Sequence, residues 1–386
     1  MLAEGAAVQS PRRVATFCRI CEAHCGLTVE VGPGDTIGRI RPDRDHPVTR
    51  GYGCVKGMGL GDLNGDPERV NHPLKRVGQG FERVSWEEAL RDIGARIRSS
   101  VKHHGARSVG MYRGNPSYFS FQHVLFASDF MRALGSPNLF TSVSIDSNNK
   151  FLVATEMYGH PLVQTLPDVS RTSFLLCLGS NPVVSQMSII QLAHPLRRLQ
   201  EIVDRGGRVV TVDPRRTETA ARVGEHLFIR PGTDAALLLA LLHVVSKYPI
   251  PEVTGFEAVT GLEEALQVAE QWSPERAAAV TGVPASEIVA LAEGYRQAES
   301  AAIYHSTGVN MGGFGSLCTW VTQVLALVTG NLDQLGGQVL VRPPIDLVGL
   351  SPGQRQHQDA AGAGAVQGPR LRRLAQPAGD ALGRRG

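Results

Sequence analysis

The stretch FCRICEAHCGL, Phe17–Leu27, places Cys18, Cys21 and Cys25 within eight positions, and after a gap of 28 residues GYGCVKGMG adds Cys54. The chain of 386 residues has only six cysteines, so four of them at one end call for a chemical reason. Thiolates two and three residues apart can converge on one small object, and a fourth from a separate loop closes the shell. Soft sulfur suits zinc or an iron–sulfur cluster, both of which need the deprotonated thiol. Zinc sites usually come as two matched C-x2-C pairs. Three ligands on one loop with one remote partner favour a cubane cluster over a tetrahedral ion, and four buried, unliganded cysteines are the bland alternative. His24 lies inside the loop as a neighbour of the sulfurs. Cys177 in FLLCLG and Cys318 in GSLCTW sit in apolar runs and read as core.

Composition limits the remaining choices. A chain of 41.5 kDa has room for two or three domains with their own cores. Net charge is +3, too mild to argue for nucleic acid or a membrane surface as partner. The longest apolar run, AALLLALLHVV at 235–245, suits a buried helix and falls short of a membrane span. Arg12-Arg13 is followed by no apolar stretch, so it does not read as an export signal, and so few cysteines make no disulfide scaffold. The expected compartment is reducing and cytoplasmic.

Along the chain, residues 1–13 read as a loose tail and 14–75 as a cysteine-bearing domain. In the latter, LTVEV, the turn GPGD and TIGRIRP form a small hairpin. Residues 76–150 form part of an α/β domain and open on a helix capped by Ser85, with Glu88 completing a capping box. Trp86, Ala89, Leu90, Ile93, Ile97 and Val101 mark one stripe of that helix. Residues 151–341 alternate strands and helices: TSFLLCLG, HPLRRLQEIVDRGG, RVVTVD, DAALLLALLHVVSKY, SEIVALAEGYRQA, AAIYHSTG and SLCTWVTQVLALVTGN. This order predicts a doubly wound, mainly parallel α/β fold with helices on both faces. LGSNP and VDPRRT fall just past the carboxyl ends of two parallel strands, where open α/β sheets bind ligands. Gly179 there lets backbone approach a phosphate. Asp213 can accept from a base edge, and Arg215 and Arg216 offer forked donors. Asp213-Pro214 also reads as a simple turn, and Asp234 as a helix N-cap. No GxGxxG follows the first strand, which argues against an NAD domain.

Cys-x2-Cys-x3-Cys, the long gap and Cys-x-Lys-Gly together resemble the N-terminal 4Fe–4S domain of molybdopterin oxidoreductases. The resemblance continues through RVSWEEAL (83–90), LGSNP (178–182), VDPRRTET (212–219), RPGTDAAL (230–237) and TGNLDQLGG (329–337), covering roughly 14–341. It implies a 4Fe–4S cluster on Cys18, Cys21, Cys25 and Cys54, and molybdenum or tungsten on bis-molybdopterin guanine dinucleotide. It places Gly179, Asn181, Asp213, Arg215 and Asp234 along the dinucleotide and the glycine-rich HSTGVNMGGFG (305–315) over a pterin. Lys56 falls between cluster and pterin, where its charge assists electron passage. Counting back from Gly159, the metal-ligand position falls on Asp146, whose hard oxygen suits a high-valent metal. The competing reading makes Asp146 the cap of the helix that follows. Formate dehydrogenases are the nearest in pattern, yet those enzymes carry cysteine or selenocysteine followed by histidine at the metal, and an arginine after GVN. Here stand Asp146-Ser147 and Met311-Gly312-Gly313, so formate does not carry over.

From Ser351 the last 36 residues hold seven Ala, seven Gly and six Arg, with no Ile, Phe, Tyr, Trp or Met. Such a segment buries no core, and 342–386 reads as a linker or disordered tail. The expectation is therefore an oxidoreductase subunit acting on a small-molecule substrate, with an electron-transfer partner protein and a completing subunit for the missing C-terminal part. The alternatives are a truncated, non-catalytic iron–sulfur electron carrier, and a zinc protein whose α/β domain binds a nucleotide for other ends.

Overall fold

The computed structural model describes residues 12–252 and 259–341. The linker or tail expected at 342–386 lies outside the described residues, as does the leading tail up to residue 11. Arg12 and Arg13 had been assigned to that tail, but they open a strand, Arg12–Phe17, paired antiparallel with Gly26–Val31. The strand is exposed along nearly its whole length, so its sequence lacks the alternation that marks a half-buried strand.

The chain divides into two compact units, one ending at Ser144 and one beginning at Ile145. In the first, Ile37–Pro42 pairs with Gly26–Val31 as the hairpin pattern predicts, giving three antiparallel strands. The cysteine loop joins the first two strands where Phe17 faces Gly26. A small core of Cys18, Cys25 and Leu27 lies beneath it, with Ile40, Tyr52 and Met58 packed around. Further on, Ser85 Oγ accepts from the Glu88 amide at 3.1 Å and caps helix Trp86–His104, as expected. None of that helix's residues is buried, and Trp86, Leu90 and Ile93 of its stripe are exposed. Strands Met111–Arg113 and Leu139–Thr141 pair in parallel, and helix Phe121–Leu134 between them ends on Gly135 in the left-handed region.

The second unit is the doubly wound fold. Its main sheet has four strands, all parallel, in the order Glu225–Leu227, Arg208–Val212, Phe174–Leu178, Ala301–His305. Every residue of Phe174–Leu178 is buried, which is why it reads as an unbroken apolar run. The pleat sends Phe174, Leu176 and Leu178 into one core and Leu175 and Cys177 into another on the opposite face. Helices Asp234–Val245, Ala285–Gln297 and Gly315–Val328 fill the first core, and Pro195–Asp204 covers the second through Leu199 and Ile202. Helix Asp234–Val245 is buried on every side except at His243, so its sequence is apolar all round. Cys177 and Cys318 are core residues, as read from sequence. Helices Leu262–Glu270 and Pro274–Thr281, and the antiparallel pair Thr165–Pro167 with Gln338–Leu340, were not foreseen. Among the described residues no helix is long and apolar enough to cross a membrane.

Candidate functional site

In the first unit the four expected cysteines come together. The Cys18 amide donates to the Cys25 carbonyl at 2.8 Å, closing the loop on itself, and the His24 amide reaches the Cys21 carbonyl at 3.3 Å. His24 takes a positive φ to make the turn and stacks on Phe17, with Phe119 at its edge; it stands as a neighbour of the sulfurs. Cys54 is the N-cap of the short helix Val55–Met58, and Gly57 in that helix lies against Cys18: a Cβ there would sit 3.4 Å from its Sγ. None of the four is in a disulfide. Burial, then the neighbouring sulfurs of Cys21, Cys18 and Cys54, push the Cys25 thiol up to about 11. That is what mutually repelling sulfurs in a desolvated loop should show before a positive centre neutralises them. Four thiol donors brought to one loop fit a sulfur-bridged iron cluster. Lys56 is exposed two residues past Cys54, and its charge is felt at Cys21, where it opposes the upward push of burial.

The second unit gathers Gly179, Asn181, Asp213, Arg215 and Asp234 at the carboxyl end of the parallel sheet. Gly179 ends strand Phe174–Leu178 with φ +50°, its amide donating to the Val212 carbonyl at 3.1 Å. Asn181 Oδ1 accepts from the Thr219 amide and hydroxyl at 3.2 and 2.8 Å, while its Nδ2 donates to Glu218 Oε2 at 2.6 Å. Arg215 donates to the same Glu218 oxygen at 3.0 Å, and its amide donates to Asp213 Oδ1 at 2.9 Å. Asp213 therefore does form a turn, and that turn presents Arg215. Glu218 is the residue sequence reasoning missed: it holds Asn181 and Arg215 together, and Arg215 first among its partners draws its carboxyl down to about 2. The pair is exposed, so an incoming phosphate can compete for Arg215 at small cost.

Asp234 is not the N-cap that sequence suggested. Thr233 holds that position, without a side-chain cap bond, and Asp234 is the first helical residue. It is only 8% exposed, and burial, assisted by the nearby Asp213 charge, raises its pKa. A largely buried carboxylate at this end of the sheet can accept from the N–H edge of a base.

Asp146 stands apart from that group. It ends the short helix Val143–Asp146, and Ser147, not Asp146, is the N-cap of helix Asn148–Tyr158. The capping reading is thereby overturned: Asp146 Oδ1 instead accepts from Ser147 Oγ at 2.9 Å. One turn on, Lys150 Nζ donates to the His305 carbonyl at 2.8 Å, and Asn149 Nδ2 donates to the Asn310 carbonyl at 2.7 Å. His305 Nδ1 donates to Asn310 Oδ1 at 3.0 Å. These contacts bind the start of helix Asn148–Tyr158 to the glycine-rich segment after strand Ala301–His305. Burial pushes the Lys150 ammonium down to about 8, against the opposing pull of Asp146. Nothing local in SNNKF marks Lys150 for this contact.

Residues 69–365 match the family model described as molybdopterin oxidoreductase, and 11–63 match that of the molybdopterin oxidoreductase Fe4S4 domain. The second match sets the zinc alternative aside. The F420-dependent formate dehydrogenase subunit alpha of Methanocaldococcus jannaschii is 27% identical over 360 residues, covering 92% of this chain and 50% of that protein. The thiosulfate reductase molybdopterin-containing subunit PhsA of Salmonella typhimurium is 30% identical over 279 residues, 71% of this chain and 35% of that one. Among solved structures, acetylene hydratase from Pelobacter acetylenicus has the same fold, with a TM-score of 0.72 at 22% identity over 85% of this chain and 45% of that chain. The chain spans about half the length, or less, of these relatives.

Proposed function

The chain belongs to the molybdopterin oxidoreductase family, and from that premise we propose that it forms the cofactor-binding N-terminal part of a molybdenum or tungsten enzyme that oxidises or reduces a small molecule and passes electrons through a 4Fe–4S cluster to a partner protein. The family's cofactors are that cluster and molybdenum or tungsten on bis-molybdopterin guanine dinucleotide. Bound, the metal centre supplies two-electron redox chemistry. Cys18, Cys21, Cys25 and Cys54 would hold the cluster. Asn181, Asp213, Arg215 and Asp234 would hold a guanine dinucleotide, and Asp146 would offer the metal an oxygen ligand. Lys56 keeps positive charge beside Cys21, which favours the thiolate a cluster requires. Six cysteines with no disulfide among them support a reducing, cytoplasmic setting.

The observation that carries this reading is the convergence of three separate sequence motifs on one end of the parallel sheet, around the buried carboxylate of Asp234. Formate is not assigned as substrate, because Asp146-Ser147 and Met311–Gly313 depart from the formate pattern. A second reading, a non-catalytic iron–sulfur electron carrier, rests on the first unit alone, where residues 11–63 match the Fe4S4 domain. In the first reading the residues named above supply half of the contacts to a large charged cofactor, and a segment matching the C-terminal half of the relatives supplies the rest. Purified anaerobically, the 386-residue chain should carry iron but little molybdenum or tungsten and show no substrate-driven dye reduction. Adding a polypeptide matching the C-terminal half of the relatives should restore both metal and turnover. Stoichiometric metal and turnover from the chain alone would overturn the half-site account, while no gain on complementation would favour the electron carrier.

A further inference from the structure

In the second unit, helix Asn148–Tyr158, the end of strand Ala301–His305 and the Thr165–Pro167/Gln338–Leu340 pair line a cavity of about 40 Å³. Its walls include Lys150, Tyr158, Thr165, Gln323 and Gln338. Two of them impose opposite demands. Gln338 is 2% exposed, and its Nε2 donates to the Ile303 carbonyl, so the amide cannot be flipped without setting two acceptors against each other. Its Oε1 is buried and has no hydrogen-bond partner. Lys150 carries three N–H donors; one goes to the His305 carbonyl, and the Tyr304 ring lies 5.6 Å from the nitrogen. Gln323 Oε1, on the same wall, already accepts from Tyr158 and Thr165 at 2.9 and 2.8 Å.

We propose that this cavity is an internal hydration site, in which ordered water accepts from Lys150 Nζ and donates to Gln338 Oε1. The occupant must be both donor and acceptor, and neutral. An anion would meet the fixed Gln338 oxygen, and a metal ion would meet the ammonium. The cavity is larger than the roughly 10–15 Å³ that one water needs, and polar cavities of this size fill. A dry cavity would leave a buried amide oxygen and two ammonium protons without partners, which is costly in a low-dielectric interior. Water accepting from Lys150 favours its charged form, one helical turn from Asp146. The site stands on residues of this unit alone and needs no bound metal.

A high-resolution crystal structure of the full chain should show a water within hydrogen-bond distance of both Lys150 Nζ and Gln338 Oε1. In solution, water-oxygen relaxation dispersion should count at least one fewer long-lived internal water in Gln338→Met than in the parent. Empty density in the parent, an ion refining at that position, or an unchanged count in a folded Gln338→Met would overturn the proposal. Should that variant fail to fold, the parent's electron density decides alone.

Discussion

Gly308 donates its amide to the Gly179 carbonyl at 3.0 Å, and each glycine stands where the other's side chain would be. A Cβ on Gly308 would lie 2.7 Å from the Gly179 oxygen and 2.8 Å from its Cα; one on Gly179 would lie 2.8 Å from the Val309 nitrogen. The turns after two neighbouring strands therefore touch backbone to backbone at the ligand end of the sheet. Gly308→Ala should cost about 1–3 kcal/mol, because rigid backbone has to move to admit the methyl. Gly179→Ala should cost more, since its φ of +50° adds strain to the clash. Denaturant unfolding of both variants checks the order.

Lys150 gives a pH signature. Its folded pKa is about 8 against an ordinary 10.5, so the folded protein releases this proton first. Below about pH 8 both states hold the proton and the full burial cost is present. Between about 8 and 10.5 the unfolded state binds more protons, so this residue's contribution to stability rises with pH. The rise amounts to at most about 3 kcal/mol. Lys150→Met should remove it, so the stability difference between parent and variant should change across that window; a flat difference would contradict the assignment.

Cys21→Ala should abolish the broad visible absorbance of a 4Fe–4S cluster in anaerobically purified protein, while far-ultraviolet circular dichroism of the second unit's helices persists. The replacement removes one of four ligands from a loop whose own core is only Cys18, Cys25 and Leu27. Loss of cluster should therefore go with local loosening of residues 12–65, visible as faster amide exchange there.

In the complemented, metal-loaded protein, Asp146→Ala should remove an oxygen scatterer from the molybdenum or tungsten X-ray absorption spectrum. Asp146 does not cap the following helix, so the variant's thermal midpoint should move little. An unchanged metal spectrum would remove Asp146 from the coordination sphere.

The parallel sheet was legible because burial writes itself into composition: FLLCL and RVVTV are apolar since both faces of the sheet are covered. The Ser85 cap was legible because it acts over three residues. Strand Arg12–Phe17 was not, being exposed and opened by two arginines, one of which reaches Glu30 at 3.8 Å. Glu218 and Lys150 stayed hidden for another reason. Each acts on partners 37 and 155 positions away, Asn181 and His305, and no local pattern encodes such a contact. The cysteines lie between these extremes: their spacing announced a shared centre, but only the fold shows Gly57 clearing room beside Cys18.

The central claim is that Cys18, Cys21, Cys25 and Cys54 make this chain a carrier of an iron–sulfur cluster at the head of a dinucleotide-binding fold. Iron and acid-labile sulfide in anaerobically purified protein test it most directly. The account predicts about four of each per chain, with a reducible paramagnetic signal, as four thiolates around one cubane require. One zinc per chain with no iron or sulfide would contradict it.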